Sequence, residues 1–202
     1  MLLALILVAA ASIPFARSLT KPLERLAVTA KKLGQGDLRV HGGPEKAVYA
    51  YPSEHWGPWT VDLKPATPYG PGSFGENLSL AGILEDDACI GDIWRWGDVR
   101  LQICQPRYPC YKLAEVLHRP RVVKAMVQNG RTGWYFRVLT PGTAPASGAI
   151  ELEARDPAGI TVAMAHAARL PGAERALVER AASAGALSHV LKQELGEALA
   201  ER

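Results

Sequence analysis

The sequence predicts an α+β protein. A long N-terminal helix (residues 1–35) precedes a β-rich, barrel-like domain (36–155), and a small three-helix domain (156–202) follows. Three observations carry this. Short β-rich or alternating runs, 89–96, 99–104, 133–139 and 149–153, crowd the middle of the chain. After Asp156-Pro157 the texture becomes Ala/Leu/Glu-rich at helical spacing. Ahead of Gly34, the residues Leu19, Leu23, Leu26, Ala30 and Leu33 alternate steps of four and three, which is a heptad seam.

In chain order, residues 1–16 are almost wholly apolar up to the first charge, Arg17. That is short of the roughly 20 residues that span a bilayer and lacks the basic start of a signal peptide. It reads as the tail of a transmembrane helix. Gly34 and Gly36 stop the heptad helix. Residues 46–51 and 53–59 read as short helical pieces broken by Pro52 and Pro58. Residues 70–78 read as a turn-rich loop leading into a strand. Gly97-Asp98 closes a hairpin between the runs 89–96 and 99–104. Residues 111–117 and 122–129 read as helices. The tail helices, 161–169, 173–184 and 187–201, are separated by Pro171-Gly172 and Gly185. Ser188 and His189 read as cap or surface residues. A helix-turn-helix reader of DNA would need a basic recognition face, which the tail lacks.

Composition narrows the function classes. The 202 residues are 48% hydrophobic and 21% charged with net charge +3, which suits one sizeable domain with an appendage. The basic residues read as scattered along the chain, without interleaved aromatics, so no nucleic-acid partner is expected. Cys89, Cys104 and Cys110 are an odd set without CxxC spacing, which argues against a disulfide framework or zinc knuckle and for a reducing, cytoplasmic setting. Zinc-protease, serine-hydrolase and P-loop signatures are absent.

The most informative stretch is Gln105-Pro-Arg-Tyr-Pro-Cys-Tyr-Lys-Leu113. Pro109 suits the start of a helix, and Cys110 falls in its first turn. The helix dipole and the flanking Arg107 and Lys112 favour the thiolate, the nucleophilic and metal-binding form. A buried cysteine in a turn is the plainer alternative. Cys89 and Cys104 sit in strand patterns and read as inert core. Trp94, Trp96 and Trp134 read as packing residues.

Two resemblances follow. Pro14-x-x-Arg17-x-Leu19-x-x-Pro22-Leu23-x-x-Leu26, ending in Gly36-Asp37-Leu38, resembles the first helix of the HAMP linker of sensor histidine kinases. The second HAMP helix does not follow. A longer ordered series runs from Asp37-Leu38-Arg39-Val40-His41-Gly42-Gly43 through Tyr51-Pro52-x-Glu54-His55-Trp56 to Gly72-x-Phe74-Gly75-Glu76-Asn77-Leu78. It continues with Ile90-Gly91-Asp92, the Cys110 stretch and Gly130-Arg131-x-Gly133-Trp134. This series resembles the MOSC domain, named for the C-terminal domain of molybdenum-cofactor sulfurase. The three-helix tail points to its YiiM-like branch.

That resemblance implies a barrel-like domain binding the molybdenum cofactor (molybdopterin), with Cys110 as the protein's ligand to the metal and as a catalytic residue. It implies that Phe74, Gly75, Glu76 and Asn77 line the pterin, that Arg107 meets the cofactor phosphate and that His41 lies in the pocket. Glu76 is either a proton donor or a structural carboxylate. The implied activity is reduction of N-hydroxylated compounds, including hydroxylated bases. A small-molecule substrate and an external electron-donor reductase would be the partners, since the sequence carries no flavin or nucleotide motif. The seam at residues 36–40 suits both families and suggests a chimera, in which the barrel lacks its first strands. Membrane contact is expected only through residues 1–16. The competing readings are a sulfur carrier using a Cys110 persulfide and a membrane-tethered sensor fragment without enzymatic activity.

Overall fold

In the computed structural model, which describes residues 42–201, six strands form one curled mixed sheet in the spatial order β2-β1-β5-β4-β3-β6. The strands are β1 (Val48–Pro52), β2 (Leu78–Leu80), β3 (Ile93–Trp96), β4 (Val99–Pro106), β5 (Trp134–Thr140) and β6 (Glu151–Ala154). Only β1 and β2 pair in parallel; every other neighbouring pair is antiparallel. Residues 44–202 make up one compact unit. The transmembrane-like segment, the heptad helix and His41 lie outside the described residues. No helix among the described residues is long and apolar enough to cross a membrane.

The helices are α1 (Trp56–Leu63), α2 (Tyr111–Leu117), α3 (Val122–Asn129), α4 (Val162–Ala167), α5 (Arg175–Ser183) and α6 (His189–Ala200). Two local expectations are corrected. Residues 46–51 are not helical: a 3-10 turn, Pro44–Lys46, leads directly into β1. Tyr49, Ala50, Tyr51 and Pro52 are all buried, so β1 shows no alternation of polar and apolar residues, and Lys-Ala-Val-Tyr-Ala-Tyr imitates a helix. Pro58 does not break a helix. It lies in the first turn of α1, where a backbone N–H has no intrahelical partner to lose.

Strand alternation divides the core. Ala50, Trp134, Phe136, Leu101 and Ile103 face one side and pack with Val162, Ala165, Val178, Ala181, Leu191 and Leu195 of the tail helices. Tyr49 and Tyr51 face the other side, with Trp59 of α1, Phe74, Leu113 of α2 and Met126 of α3. Both tyrosines are held: Tyr49 Oη donates to Thr132 O at 2.9 Å, and Tyr51 Oη accepts from Trp59 Nε1 at 2.6 Å. The tail is therefore one wall of the sheet's core.

Strand β4 carries a bulge. Ile103 pairs with Phe136 and Gln105 with Tyr135, leaving Cys104 unpaired in the ladder. The freed Cys104 carbonyl accepts from Ser188 N at 2.9 Å, and Ser188 Oγ donates to Gln105 Oε1 at 3.0 Å. Ser188 also caps α6, accepting from Leu191 N. One residue thus joins the third tail helix to the bent strand.

Gly133 marks the tightest approach in the sheet. Its φ is +62°, and a Cβ there would lie 2.3 Å from Ala50 O on β1. Its N–H donates to Glu85 Oε1 at 2.7 Å. Gly133→Ala is expected to destabilise the fold by about 3 kcal/mol, because the neighbour is backbone and cannot yield. Gly185→Ala, with open space around it, should stay within about 0.5 kcal/mol of wild type. Urea unfolding of the two variants checks this; equal midpoints would refute it.

Candidate functional site

The geometry grows from the end of β4. Strand pairing stops at Pro106, and Pro109 keeps the next residues extended. Cys110 has φ −114° and ψ 170° and is the N-cap of α2, one position ahead of the helical first turn where the sequence places it. Its side chain makes no capping hydrogen bond and is half-buried. The thiol is therefore presented beyond the end of the interior strand β4 rather than consumed by the helix.

Arg107 is the second fixed point. Its Nη1 donates to Phe74 O at 2.9 Å and to Tyr49 Oη at 3.1 Å, and its guanidinium lies 4.5 Å from the Tyr49 ring centre. Its backbone N–H donates to Gly133 O. The guanidinium is half-buried, yet among the described residues no carboxylate pairs with it. The charges that act on it are those of Tyr49, Tyr135 and Cys110. Burial holds the Tyr49 phenol well above the ordinary tyrosine value and raises that of Tyr135 too, against the opposing pull of Arg107. Both rings therefore stay neutral and leave the cation uncompensated. A half-buried cation without a carboxylate, beside a free thiol, is suited to an anionic group with a soft metal.

The loop 70–77 closes one side. Its turns require glycine, with φ of +80° at Gly72 and +78° at Gly75. Phe74 anchors it: the ring is buried and stacks on Tyr51 at 4.7 Å. Thus only the Phe74 backbone meets Arg107. Glu76 Oε1 accepts from Gly72 N at 2.9 Å and Ser79 Oγ at 3.2 Å, and its Oε2 accepts from Phe74 N at 3.0 Å. The carboxylate clamps its own loop. Asn77 extends β1 with paired bonds: Tyr49 N donates to Asn77 Oδ1 at 2.8 Å, and Asn77 N donates to Tyr49 O at 2.9 Å. Gly75 and Asn77 are exposed.

The structure thus brings Arg107, Cys110, the Phe74 backbone, Glu76 and Asn77 around Tyr49. Tyr49 and Tyr135 are the residues the sequence reading missed. A helical reading of residues 46–51 hides the strand alternation that aims Tyr49 at Arg107. The other two cysteines are core, as expected: both are buried. Burial pushes the Cys104 thiol up to about 12, against the pull of Arg137. Among the described residues, no three His, Cys, Asp or Glu side chains converge as a metal set.

The tail also reaches Tyr108, between Arg107 and Cys110. The Arg169 guanidinium lies 4.2 Å from the centre of the Tyr108 ring and pairs with Glu194 at 2.6 Å. These residues border a cavity of about 410 Å³ beside α6.

Comparison with known proteins bears on the family and the fold. The family model described as the MOSC domain matches residues 37–156. The chain is 42% identical over 156 residues to the uncharacterized protein YflK of Bacillus subtilis, covering 77% of this chain and 70% of that one. It is 40% identical over 104 residues to a protein of Gibberella moniliformis named "Reductase", covering 50% of this chain but 18% of that one. The crystal structure of YiiM from Geobacillus stearothermophilus superposes with a TM-score of 0.72 at 36% identity, over 78% of this chain and 80% of that chain.

Accessibility of the three thiols gives a direct check. Cys104 keeps its proton below its raised value of about 12, and Cys89 is buried. Iodoacetamide at pH 8 should modify Cys110 at least about tenfold faster than either, because alkylation needs an accessible thiolate. Peptide mass spectrometry reads the order; prior loss of Cys104 would contradict it.

Proposed function

Since the chain belongs to the MOSC domain family, we propose that it carries a molybdenum cofactor on Cys110 and reduces N-hydroxylated compounds, hydroxylated bases among them. The observation that carries this reading is the Arg107 guanidinium, half-buried without a carboxylate beside the free Cys110 thiol. A protein pocket does not keep such a charge cheaply unless an anion completes it. The relative named "Reductase" supports the direction of the reaction.

In the overall change, the substrate takes up two electrons and two protons, its N–O bond breaks, and the oxygen leaves as water. The cofactor supplies the two-electron redox couple when bound. The chain supplies the rest. Cys110 is the thiolate ligand. The Nε and Nη2 hydrogens of Arg107, not engaged by Tyr49 or Phe74, can bind a phosphate oxygen pair. Gly75 has no side chain and open space around it, which lets a flat heterocycle approach the backbone. Asn77 retains its side-chain N–H donors, since only its Oδ1 is engaged. Glu76 acts through position, holding the Gly72–Asn77 loop in shape. The exposed rim at Gly75 and Asn77 admits water, the proton source. Electrons come from a separate donor protein.

Elemental and pterin analysis of the purified chain tests the reading. Wild-type protein from a cofactor-producing host should carry molybdenum near stoichiometry and reduce an N-hydroxylated purine when supplied with dithionite. Cys110→Ser should lose the metal with an unchanged circular dichroism spectrum. Arg107→Ala should lower pterin retention by roughly tenfold, the worth of one charge-assisted hydrogen bond. Full molybdenum occupancy in Cys110→Ser would sink the assignment.

A further inference from the structure

Charge in the described residues is segregated in a way that net charge conceals. Residues 107–131 hold six Lys or Arg against one acid, Glu115, whereas residues 42–106 and 132–201 together hold ten Lys or Arg against seventeen acids. Among the described residues, the basic excess falls in one acid-poor stretch, the α2–α3 hairpin and its flanks. Three of its six cations are engaged, Arg107 by Tyr49 and Phe74. Arg119 donates to the carbonyls of Leu63, Lys64 and His118, and Arg131 pairs with Asp62 at 2.7 Å. Lys112, Arg121 and Lys124 are exposed, and no carboxylate pairs with any of them.

Helix α2 also exposes apolar side chains, and Lys112 and Val116 are neighbours one turn apart on its surface. Tyr111 is 64% and Val116 71% exposed. Tyr111, Ala114, Glu115, His118 and Pro120 line a shallow groove along α2. The groove starts at the residue after Cys110, and α2 has seven residues, so its far end lies only about 10 Å along the helix.

We propose that this face of α2 and α3 is the docking surface for the electron-donor protein, and that the donor presents a carboxylate-rich rim around its own redox group. The inference rests on the reductase reading above and adds where electrons enter. A mixed surface of unpaired cations around exposed Tyr and Val is the anatomy of a transient protein interface, with a polar rim about an apolar centre. The acidic remainder of the described residues repels an acidic donor and orients it toward this face. A nucleic acid fits less well, since its phosphates would run from three free cations onto a negative surface.

Titration calorimetry on the full chain tests this, with an acidic [2Fe–2S] ferredoxin, an acidic flavodoxin and a single-stranded DNA oligonucleotide as probes. One or both acidic proteins should bind at low ionic strength. Arg121→Glu/Lys124→Glu should weaken that binding at least tenfold, as should 0.5 M NaCl. Lys192→Glu, an exposed cation on α6, should leave it unchanged. Binding that ignores the double variant, binding of neither acidic protein, or variant-sensitive binding to the oligonucleotide alone would each overturn the proposal. Molybdenum is assayed in the same preparations. Ferredoxin or flavodoxin binding through Arg121 and Lys124 by a chain without molybdenum would refute the reductase reading and leave the surface standing. A molybdenum-loaded, dithionite-reducible chain that binds neither protein would refute the surface alone.

Discussion

The carboxylate of Glu85 is the point on which the architecture hangs. It is 5% exposed. Its Oε1 accepts from Gly133 N at 2.7 Å, and its Oε2 lies 2.8 Å from His55 Nε2. Its backbone carbonyl accepts from Ala163 N at 3.0 Å. One residue therefore ties together the turn before α1, the start of β5 and the first turn of the tail. Buried carboxylates are costly unless every lone pair is answered, and a broken partner leaves several kcal/mol unrecovered. The close pass of β1 over Gly133 and the burial of the tail against the sheet both presuppose this junction.

The functional cradle follows from that frame. Gly133 O accepts from Arg107 N at 3.1 Å, so the β1–β5 crossing that Glu85 fixes also fixes the level at which Arg107 leaves the sheet. Tyr49, anchored at Thr132 O, then holds the guanidinium from the β1 side. The loop 70–77 comes to the same place through the buried Phe74 ring. The site is thus a by-product of three backbone decisions, each made by a glycine, a proline or an aromatic anchor rather than by the residues that would touch a ligand.

Much of this was legible in the sequence. Helices α2 and α3 were readable because their start and stop signals are local: prolines before, and Gly130 after, with the left-handed conformation at φ +72°. The β3–β4 hairpin was readable from Gly97-Asp98 between β-rich runs. Arg107 and Cys110 were readable as a pair because three positions separate them in a motif. Strand β1 was not, since its two-sided burial comes from β2, β5 and two layers of helices that no local window contains. Tyr49 and Tyr135 went with it: their role depends on cross-strand register, Tyr49 opposite Tyr135, which sequence spacing does not encode. For Glu76 the structural reading was legible as one of two, but its partners were not, because they need the turn geometry that Gly72 and Gly75 provide.

The bulge at Cys104 has a thermodynamic corollary. Helix α6 has twelve residues, a length at which an isolated helix is marginal in water. Its N-terminal serine reaches its working position only when the bent segment of β4 offers a carbonyl and the Gln105 side chain. The helix and the strand therefore belong to one cooperative unit: opening either exposes the same amides to exchange, and the C-terminal helix reports the integrity of the sheet's centre. A helix at the far end of the chain becomes, in effect, a witness to a kink in the middle of it.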